Sequence, residues 1–204
     1  MNLINSTLPI PMKVLAKSGY AHYTLELNKK QIQTKSMIEL EVGAYYLAEL
    51  YKSEGVIQFK HLCKRPNFTP YEQGVELILK LLGENFDFKH FIIENLSTAK
   101  DAQSFSVFKE MLFASFENVY HIPFIFENKP CLFQLRKRGD TIELYLYFSV
   151  FGALKIVKDE VGISIFTPFF KVQKFLNEHL EYRVFQDKNL KAFFEYKKLL
   201  DFKG

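Results

Sequence analysis

The sequence predicts an α+β protein with a small amino-terminal β-barrel-like module, a helical middle, and a carboxy-terminal antiparallel sheet with covering helices. Two patterns predict this class. Short segments near both ends of the chain alternate apolar and polar residues, which is typical of half-buried strands. Between them, apolar residues recur at helical spacing, which is typical of amphipathic helices. The expected domains are therefore 1–66, 67–118 and 119–204.

The amino-terminal module is predicted to contain four or five short strands from Gly19 to Phe59, after a lead with two prolines. In its clearest strand, Tyr23, Leu25 and Leu27 alternate with polar residues, and a turn at 28–30 follows. The other strand candidates are 32–34, 45–51 and 56–59, the last two separated by a turn at Glu54–Gly55. Such closely spaced strands predict a small barrel or a curled sheet.

Three helices are predicted in the middle of the chain. The first begins with a capping box, in which Thr69 caps, Pro70 takes the first helical position and Glu72 completes the motif, and Gly83 ends the helix. The other two are expected at about 87–96 and 100–116. The expected inward residues are Val75, Ile78, Leu79 and Leu82 in the first helix, Phe88, Phe91, Ile92 and Leu96 in the second, and Phe105, Phe108, Leu112 and Phe116 in the third.

The carboxy-terminal domain is predicted to begin with strands and to end with helices. The strand candidates are 124–126, 131–135, 142–148, 153–157 and 161–166, each separated from the next by turn residues. The third strand is the clearest, because Ile142, Leu144, Leu146 and Phe148 share one face opposite Glu143, Tyr145 and Tyr147. A fourth helix is expected after a Thr167 cap, burying Val172, Phe175, Leu176 and Leu180, and a final helix is expected at 188–200.

Composition limits the classes of function. The 204-residue chain is 48% hydrophobic, which is enough to bury a core. No stretch approaches the roughly 18 uninterrupted apolar residues of a membrane span, and Cys63 and Cys131 have no partner at metal or redox spacing. We therefore expect a cytoplasmic protein that does not insert into membranes.

Catalytic and metal-binding motifs are missing from the sequence. The five histidines are isolated, and none has the spacing of a metal-binding motif. Neither a Gly-x-Ser-x-Gly elbow nor a glycine-rich phosphate loop is present. We therefore expect no enzymatic activity, no cofactor and no metal ion.

Nucleic-acid binding is one alternative that the residues leave open. The net charge is +4, but acidic and basic residues are interspersed, whereas nucleic-acid-binding proteins concentrate basic residues in a stripe. The hypothesis therefore depends on the amino-terminal module, with Lys29, Lys30 and Lys35 near Tyr45 and Tyr46.

Cyclic-dinucleotide binding is a second alternative. Arg136 and Arg138 precede Ser149, and arginines near such a serine hold the phosphates of a cyclic dinucleotide in PilZ domains. The sequence departs from that family in its arginine spacing, which is usually Arg-x-x-x-Arg, and in Tyr147, which replaces an acidic or Asn residue.

The order of elements in 142–181 resembles a known family. An alternating strand reaches a corner at Phe151–Gly152, a second alternating strand runs to Ile156, and a third strand at 162–166 and an apolar helix at 172–180 follow. This order resembles the carboxy-terminal domain of flagellar hook-length control proteins, in which a strand ends at a Leu-Gly corner before a Val-x-Val strand. Phe151 stands where that corner usually has Leu.

Two further regions are similar to members of this family. The stretch from 120–124 through 132–135 resembles the strands that precede the corner. The segments at 23–27, 35–36, 40–43 and 46–50 are similar to a small β module found upstream in several members. The carboxy-terminal part and the amino-terminal module that show the resemblance together cover roughly half to two thirds of the chain.

The resemblance implies a non-catalytic protein-interaction factor in flagellar assembly or in the regulation of type III export. The implied partner is an export-gate or hook component, bound at Arg136, Arg138, Val150, Phe151 and Gly152. An exposed apolar corner flanked by arginines has the composition of a binding hot spot. The alternative is that Phe151 belongs to the core and that the two arginines are solvated turn residues.

Overall fold

A computed structural model describes residues 8–53, 56–83 and 86–196. These residues form a mixed α+β fold with four helices and two sheets, which confirms the predicted class. They divide into two compact units. Unit 1 holds the described residues up to Arg65, together with 149–154 and 164–190, and unit 2 holds the others.

The first sheet has five antiparallel strands and lies in unit 1. The strands are β1 (Ile10–Gly19), β2 (His22–Leu27), β3 (Lys30–Lys35), β4 (Tyr45–Ser53) and β5 (Val56–Lys64). Their order is β3-β2-β1-β4-β5, so the sheet is open, with β3 and β5 at its edges, and no closed barrel forms among the described strands. The barrel-like alternative is therefore wrong.

The central strand of this sheet, β1, was missed by the sequence analysis. It lies where two prolines indicated an irregular lead, and Pro11 itself pairs with Leu47 of β4. A proline removes one donor from a ladder but is compatible with extended backbone near the start of a strand. The burial of Met12 and Val14 then makes β1 part of the core of unit 1.

The turn between β2 and β3 confirms its prediction. Asn28 and Lys29 both have positive φ, 47° and 66°, as a two-residue hairpin of type I′ requires. The register of this hairpin is regular from Leu27–Lys30 to His22–Lys35. The predicted turn at Glu54–Gly55 lies outside the described residues.

Three helices of unit 2 occupy the predicted middle region. They are α1 (Gly74–Leu82), α2 (Phe88–Thr98) and α3 (Ala102–Phe116). Asp87 and Asp101 cap α2 and α3, because their side chains accept hydrogen bonds from the backbone amides of His90 and Ser104. Within the part of the chain that the structure describes, no helix combines the length and the apolar character needed to cross a membrane.

The capping box predicted for α1 is wrong. The helix begins at Gly74, after Gln73, without a side-chain cap. Thr69 instead donates hydrogen bonds from Oγ1 and from its backbone amide to the carboxylate of Glu110, at 2.6 Å and 3.0 Å. Glu110 is buried on α3 and needs these donors, because a buried carboxylate without partners is strongly destabilising.

The predicted inward face of α1 is also wrong, except for Ile78, which is partly buried against the core of unit 2. The helix turns Gly74 and Leu77 inward, whereas Leu79 and Leu82 are 66% and 65% exposed. A side chain at residue 74 would overlap the carbonyl oxygen of Pro123, so the absence of a side chain allows the helix to lie directly on the backbone of the adjacent strand. On α3, similarly, Phe105 and Phe116 are exposed, although both were predicted to face inward.

The second sheet has six strands, and five of them coincide with the five strands predicted for this region. They are β6 (Tyr120–Phe126), β7 (Lys129–Arg138), β8 (Thr141–Phe148), β9 (Gly152–Lys158), β10 (Ile163–Thr167) and β11 (Arg183–Gln186), and their order is β11-β10-β9-β8-β7-β6. The helix α4 (Phe170–His179) connects β10 to β11, which pairs with it in parallel. The sheet is therefore mixed rather than antiparallel, since a crossover helix brings the chain back in the same direction.

The predicted final helix is wrong over its described part. Residues 188–196 form turns and irregular structure, and the rest of the predicted helix lies outside the described residues. Gln134 of β7 holds this segment through its side-chain amide, which accepts from the amide of Phe193 at 2.7 Å and donates to the carbonyl of Phe194 at 2.6 Å. The ring of Phe193 also lies beside Tyr145 of β8.

Candidate functional site

A groove of about 810 Å³ opens in unit 1. One wall is formed by the segment 34–40, which begins at the end of β3 and continues beyond it. The other wall is formed by residues 57–62 of β5. The apolar residues that line it are Met12, Leu25, Met37, Ile38, Leu40, Ile57, Phe59, Leu62 and Pro168. We call it the unit 1 groove.

The floor of the unit 1 groove is core, and its rim is exposed. Met12, Leu25 and Leu40 are buried, whereas Met37 is 92% exposed and Ile57 is 46% exposed. Large apolar side chains at such exposure mark binding surfaces when they adjoin a concave apolar floor. Methionine is common at these surfaces because its flexible side chain adapts to different partners.

The charged residues of the groove are all basic. Lys35, Lys60, Lys188 and His61 line it, and no described lining residue is acidic. The nearby carboxylate of Glu39 is paired with a lysine outside the groove, Lys17, at 3.0 Å. The groove therefore combines an apolar floor with a cationic rim.

A buried carboxylate lies behind one wall of the groove. Glu49 of β4 is fully buried, and its Oε2 accepts hydrogen bonds from the hydroxyl of Tyr51 and from Nδ1 of His61, both at 2.7 Å. Its Oε1 accepts from the backbone amide of Lys171 at 2.5 Å. Burial, reinforced by this carboxylate, raises the pKa of Tyr51 above its usual value, so the tyrosine remains a donor.

Glu49 also serves as the cap of α4. Phe169, which precedes this helix, provides no side-chain cap, and Lys171 is in the first turn, where backbone amides lack partners within the helix. A carboxylate at this end is favoured by the helix dipole. The sequence predicted Thr167 as the cap, whereas its hydroxyl accepts only from the amide of Phe169.

A β-bulge places His61 beside Glu49. Leu47 pairs with Cys63 and Glu49 with Lys60, so two residues of β5 oppose one residue of β4. His61 has a positive φ of 51°, which is uncommon for a residue other than glycine. The ring of His61 therefore bridges the two features, since its Nδ1 lies 2.7 Å from Oε2 of Glu49 and the residue also lines the groove.

Arg136 and Arg138, predicted as partner-binding residues, converge on a carboxylate of unit 2. Glu143 lies 2.5 Å from Nε of Arg136, 3.8 Å from Nε of Arg138 and 2.6 Å from Nζ of Lys155. Burial opposes ionisation of Glu143, but the hydrogen bonds from Arg136 and Lys155 outweigh it and lower the pKa of this carboxyl group. The guanidinium of Arg136 also lies 3.9 Å from the centre of the Phe193 ring, whereas Arg138 is largely exposed.

Val150, Phe151 and Gly152, the other predicted partner-binding residues, belong to unit 1. Val150 and Phe151 are half-buried in the turn that joins β8 to β9, and the ring of Phe151 stacks on Phe175 of α4. Gly152 is buried, has a φ of 76°, and leaves no space for a side chain because Phe169 occupies it. The corner is therefore built into the packing of α4.

No family model, curated protein or solved structure matches the chain. Within the described ranges, no three His, Cys, Asp or Glu side chains are grouped to hold a metal ion.

The residues of the unit 1 groove were missed as a site by the sequence analysis, which named only Lys35 among them, for nucleic-acid binding. The aromatic residues of that alternative are otherwise engaged: Tyr46 is buried, and the ring of Tyr45 is faced by Lys13 and Arg65. Sequence spacing offers no signal that joins Glu49 to Lys171, which are 122 positions apart.

Proposed function

We propose that this protein is a non-catalytic protein-interaction factor that binds a segment of a partner polypeptide in the unit 1 groove. The observation that carries the proposal is the concave apolar floor next to the exposed side chains of Met37 and Ile57. Burial of such side chains by a partner is favourable by about 25 cal/mol for each Å² removed from water. The groove lies on a sheet, which is a rigid scaffold for recognition.

The resemblance to flagellar hook-length control proteins suggests the class of partner. We propose a component of the flagellar type III export system or of the hook. Two features are consistent with that resemblance: β8 and β9 are neighbours joined by a short turn, and α4 follows β10 with Phe169 packed against Gly152. The partner-binding role of Arg136, Arg138, Val150 and Phe151 remains part of the proposal.

A matched pair of serine substitutions tests the groove. Met37→Ser removes an apolar side chain from the groove without adding a charge, whereas Tyr20→Ser shortens a residue of unit 1 that is 95% exposed and does not line it. Both positions are too exposed for either change to disturb the core. We expect Met37→Ser to weaken retention of the partner by about tenfold, which is about 1.4 kcal/mol, and Tyr20→Ser to leave it unchanged.

The measurement is capture of flagellar export and hook components by the immobilised protein in extracts of a flagellated host. Retention that Met37→Ser does not reduce would contradict binding in the groove. Recovery of no export or hook component, together with normal motility of a deletion strain, would contradict the flagellar assignment.

A further inference from the structure

We infer that the unit 1 groove holds its partner as an extra β-strand along the outer edge of β5, and that the bound segment carries acidic side chains beside its apolar ones. This inference rests on the proposed function, because it specifies how the same groove holds a polypeptide.

The lining of the groove locates it along a strand edge. Residues 57–62 of β5 all line the groove, although successive side chains of a strand point to opposite faces of the sheet. A groove on one face would be lined by alternate residues. A groove that contacts six consecutive residues follows the edge of the strand, where its backbone groups face outward.

The outer edge of β5 is open to pairing. β5 is the last strand in the order β3-β2-β1-β4-β5, so no described strand lies beyond it. Edge strands present unpaired N–H and C=O groups, and proteins protect such edges with charged or polar residues. The other edge has this protection, because β3 reads Lys-Gln-Ile-Gln-Thr-Lys, whereas β5 presents Ile57 and Phe59 to the groove.

The bulge at His61 sets the length of the added strand. A residue with positive φ interrupts the regular spacing of donors and acceptors. Regular pairing is therefore possible before His61, along Ile57–Lys60, and the partner needs only about four or five residues in extended conformation. Recognition of short extended segments in this way uses backbone hydrogen bonds for affinity and side-chain contacts for specificity.

The charge of the groove defines the chemistry of the segment. Lys35, Lys60 and Lys188 are exposed, and no described carboxylate lies within ion-pair distance of them. Nζ of Lys60 lies 5.2 Å from the centre of the Tyr51 ring. Because that ring is not an anion, this contact does not neutralise the charge of Lys60. Asp or Glu residues next to the apolar anchors of a partner complement these lysines, and basic segments are repelled.

The chemistry of the segment is tested with a displayed library of random peptides of about twelve residues, long enough for one strand with flanks. Peptides are selected on the intact wild-type protein and retained for study if Met37→Ser weakens their binding and Tyr20→Ser does not. We expect the retained peptides to be enriched in Asp and Glu and depleted in Lys and Arg. Their affinity should fall by about tenfold in Lys60→Glu and stay unchanged in Lys80→Glu, which makes the same charge change on α1.

The mode of binding is tested on one retained peptide by N-methylation of its backbone, one position at a time. An added strand donates to β5 from every second residue, so binding should be lost at alternate positions and preserved at those between. Amide hydrogen exchange of Ile57–Lys60 should slow when the peptide binds.

The outcomes separate the inference from the proposed function. Groove-dependent peptides that are neutral or basic, or that tolerate N-methylation at every position, overturn the inference and leave the proposed function standing. A library that yields no peptide sensitive to Met37→Ser overturns both.

Discussion

His121 is a fully buried imidazole whose two nitrogens have different surroundings. Gln134 uses its carbonyl oxygen to accept from the amides of Phe193 and Phe194, so its NH₂ group is the donor to Nδ1 of His121, at 2.9 Å. The proton of the neutral ring is therefore on Nε2, which faces Glu110 at 3.9 Å without a hydrogen bond. An ion pair with Glu110 would need a charged ring, but burial disfavours that charge and lowers the pKa of His121 to about 3.

The first prediction concerns the pH dependence that follows from this pKa. The pKa of His121 is about 3 in the folded protein, whereas its ordinary value, which applies to the unfolded chain, is 6.5. Between pH 3 and pH 6.5, the unfolded chain therefore binds the proton more strongly than the folded protein does. Stability is therefore complete above pH 6.5 and falls as the pH decreases toward 3, with a slope that approaches about 1.4 kcal/mol per pH unit. Urea unfolding of the wild type at a series of pH values measures the slope.

Two observations check the assignment to His121. His121→Gln should show a shallower slope over the same range, because this side chain does not titrate. In the wild type, the NMR signal of the His121 ring should not shift between about pH 7 and pH 4. Equal slopes in both proteins, or titration of the ring near its ordinary pKa, would show that the imidazole is not held neutral by burial.

The second prediction concerns Glu49. Glu49→Ala removes a fully buried carboxylate that accepts from Tyr51, His61 and the backbone amide of Lys171, all of which are partly buried. Loss of hydrogen bonds to a buried charge should lower the free energy of unfolding by about 3–5 kcal/mol. Glu39→Ala, at an exposed ion pair, should change it by less than about 1 kcal/mol. Similar losses in the two variants, measured by urea unfolding, would contradict the role of Glu49 as a buried connection between β4, β5 and α4.

At the scale of elements, the turn between β8 and β9 shows how a local signal and a packing contact coincide. Gly152 was predicted at a corner from its position between two alternating strands, and the structure places it in the left-handed region at φ 76°. What the sequence did not predict is the ring of Phe169 in the space of the missing side chain. Glycine is therefore required at this position for two reasons: the backbone has a positive φ, and Phe169 leaves no space for a side chain.

The third prediction separates these two requirements. Gly139 has a φ of 58° in the turn between β7 and β8, and the space around it is open. Gly139→Ala should cost about 1 kcal/mol of unfolding free energy from backbone strain alone. Gly152→Ala should cost about 2–4 kcal/mol, because overpacking against Phe169 adds to that strain. Equal costs in urea unfolding would mean that α4 moves away without penalty.

The helices show where element-level prediction from sequence succeeds and where it does not. The ranges of α2 and α3 were predicted within a few residues from the helical spacing of their apolar residues, although their caps, Asp87 and Asp101, were not predicted. The inward face of α1 was predicted incorrectly except at Ile78, because its periodicity is compatible with more than one orientation. The contact of Gly74 with Pro123 decides the orientation, and that contact depends on a strand far along the chain.

At the scale of the whole molecule, composition and charge bear on the alternatives to a protein partner. Several basic residues are already engaged: Arg136 with Glu143, Arg65 with the ring of Tyr45, and Lys17 with Glu39. Nucleic acid binds to continuous basic surfaces, with an affinity that falls steeply with salt. The cationic rim of the unit 1 groove is instead local and adjoins an apolar floor, which favours an acidic, apolar segment.

The sequence by itself determined the mixed class, most of the strands and several of the turns, because alternation, helical spacing and turn residues act over a few neighbouring positions. Tertiary structure alone decided that β1 is central, that the sheet of unit 1 is open, and that Met37 and β5 border a groove. It also decided the partners of buried polar groups, since Gln134 bonds to a residue 60 positions away. These features depend on which surfaces meet when the chain packs, and residues distant in sequence determine that together.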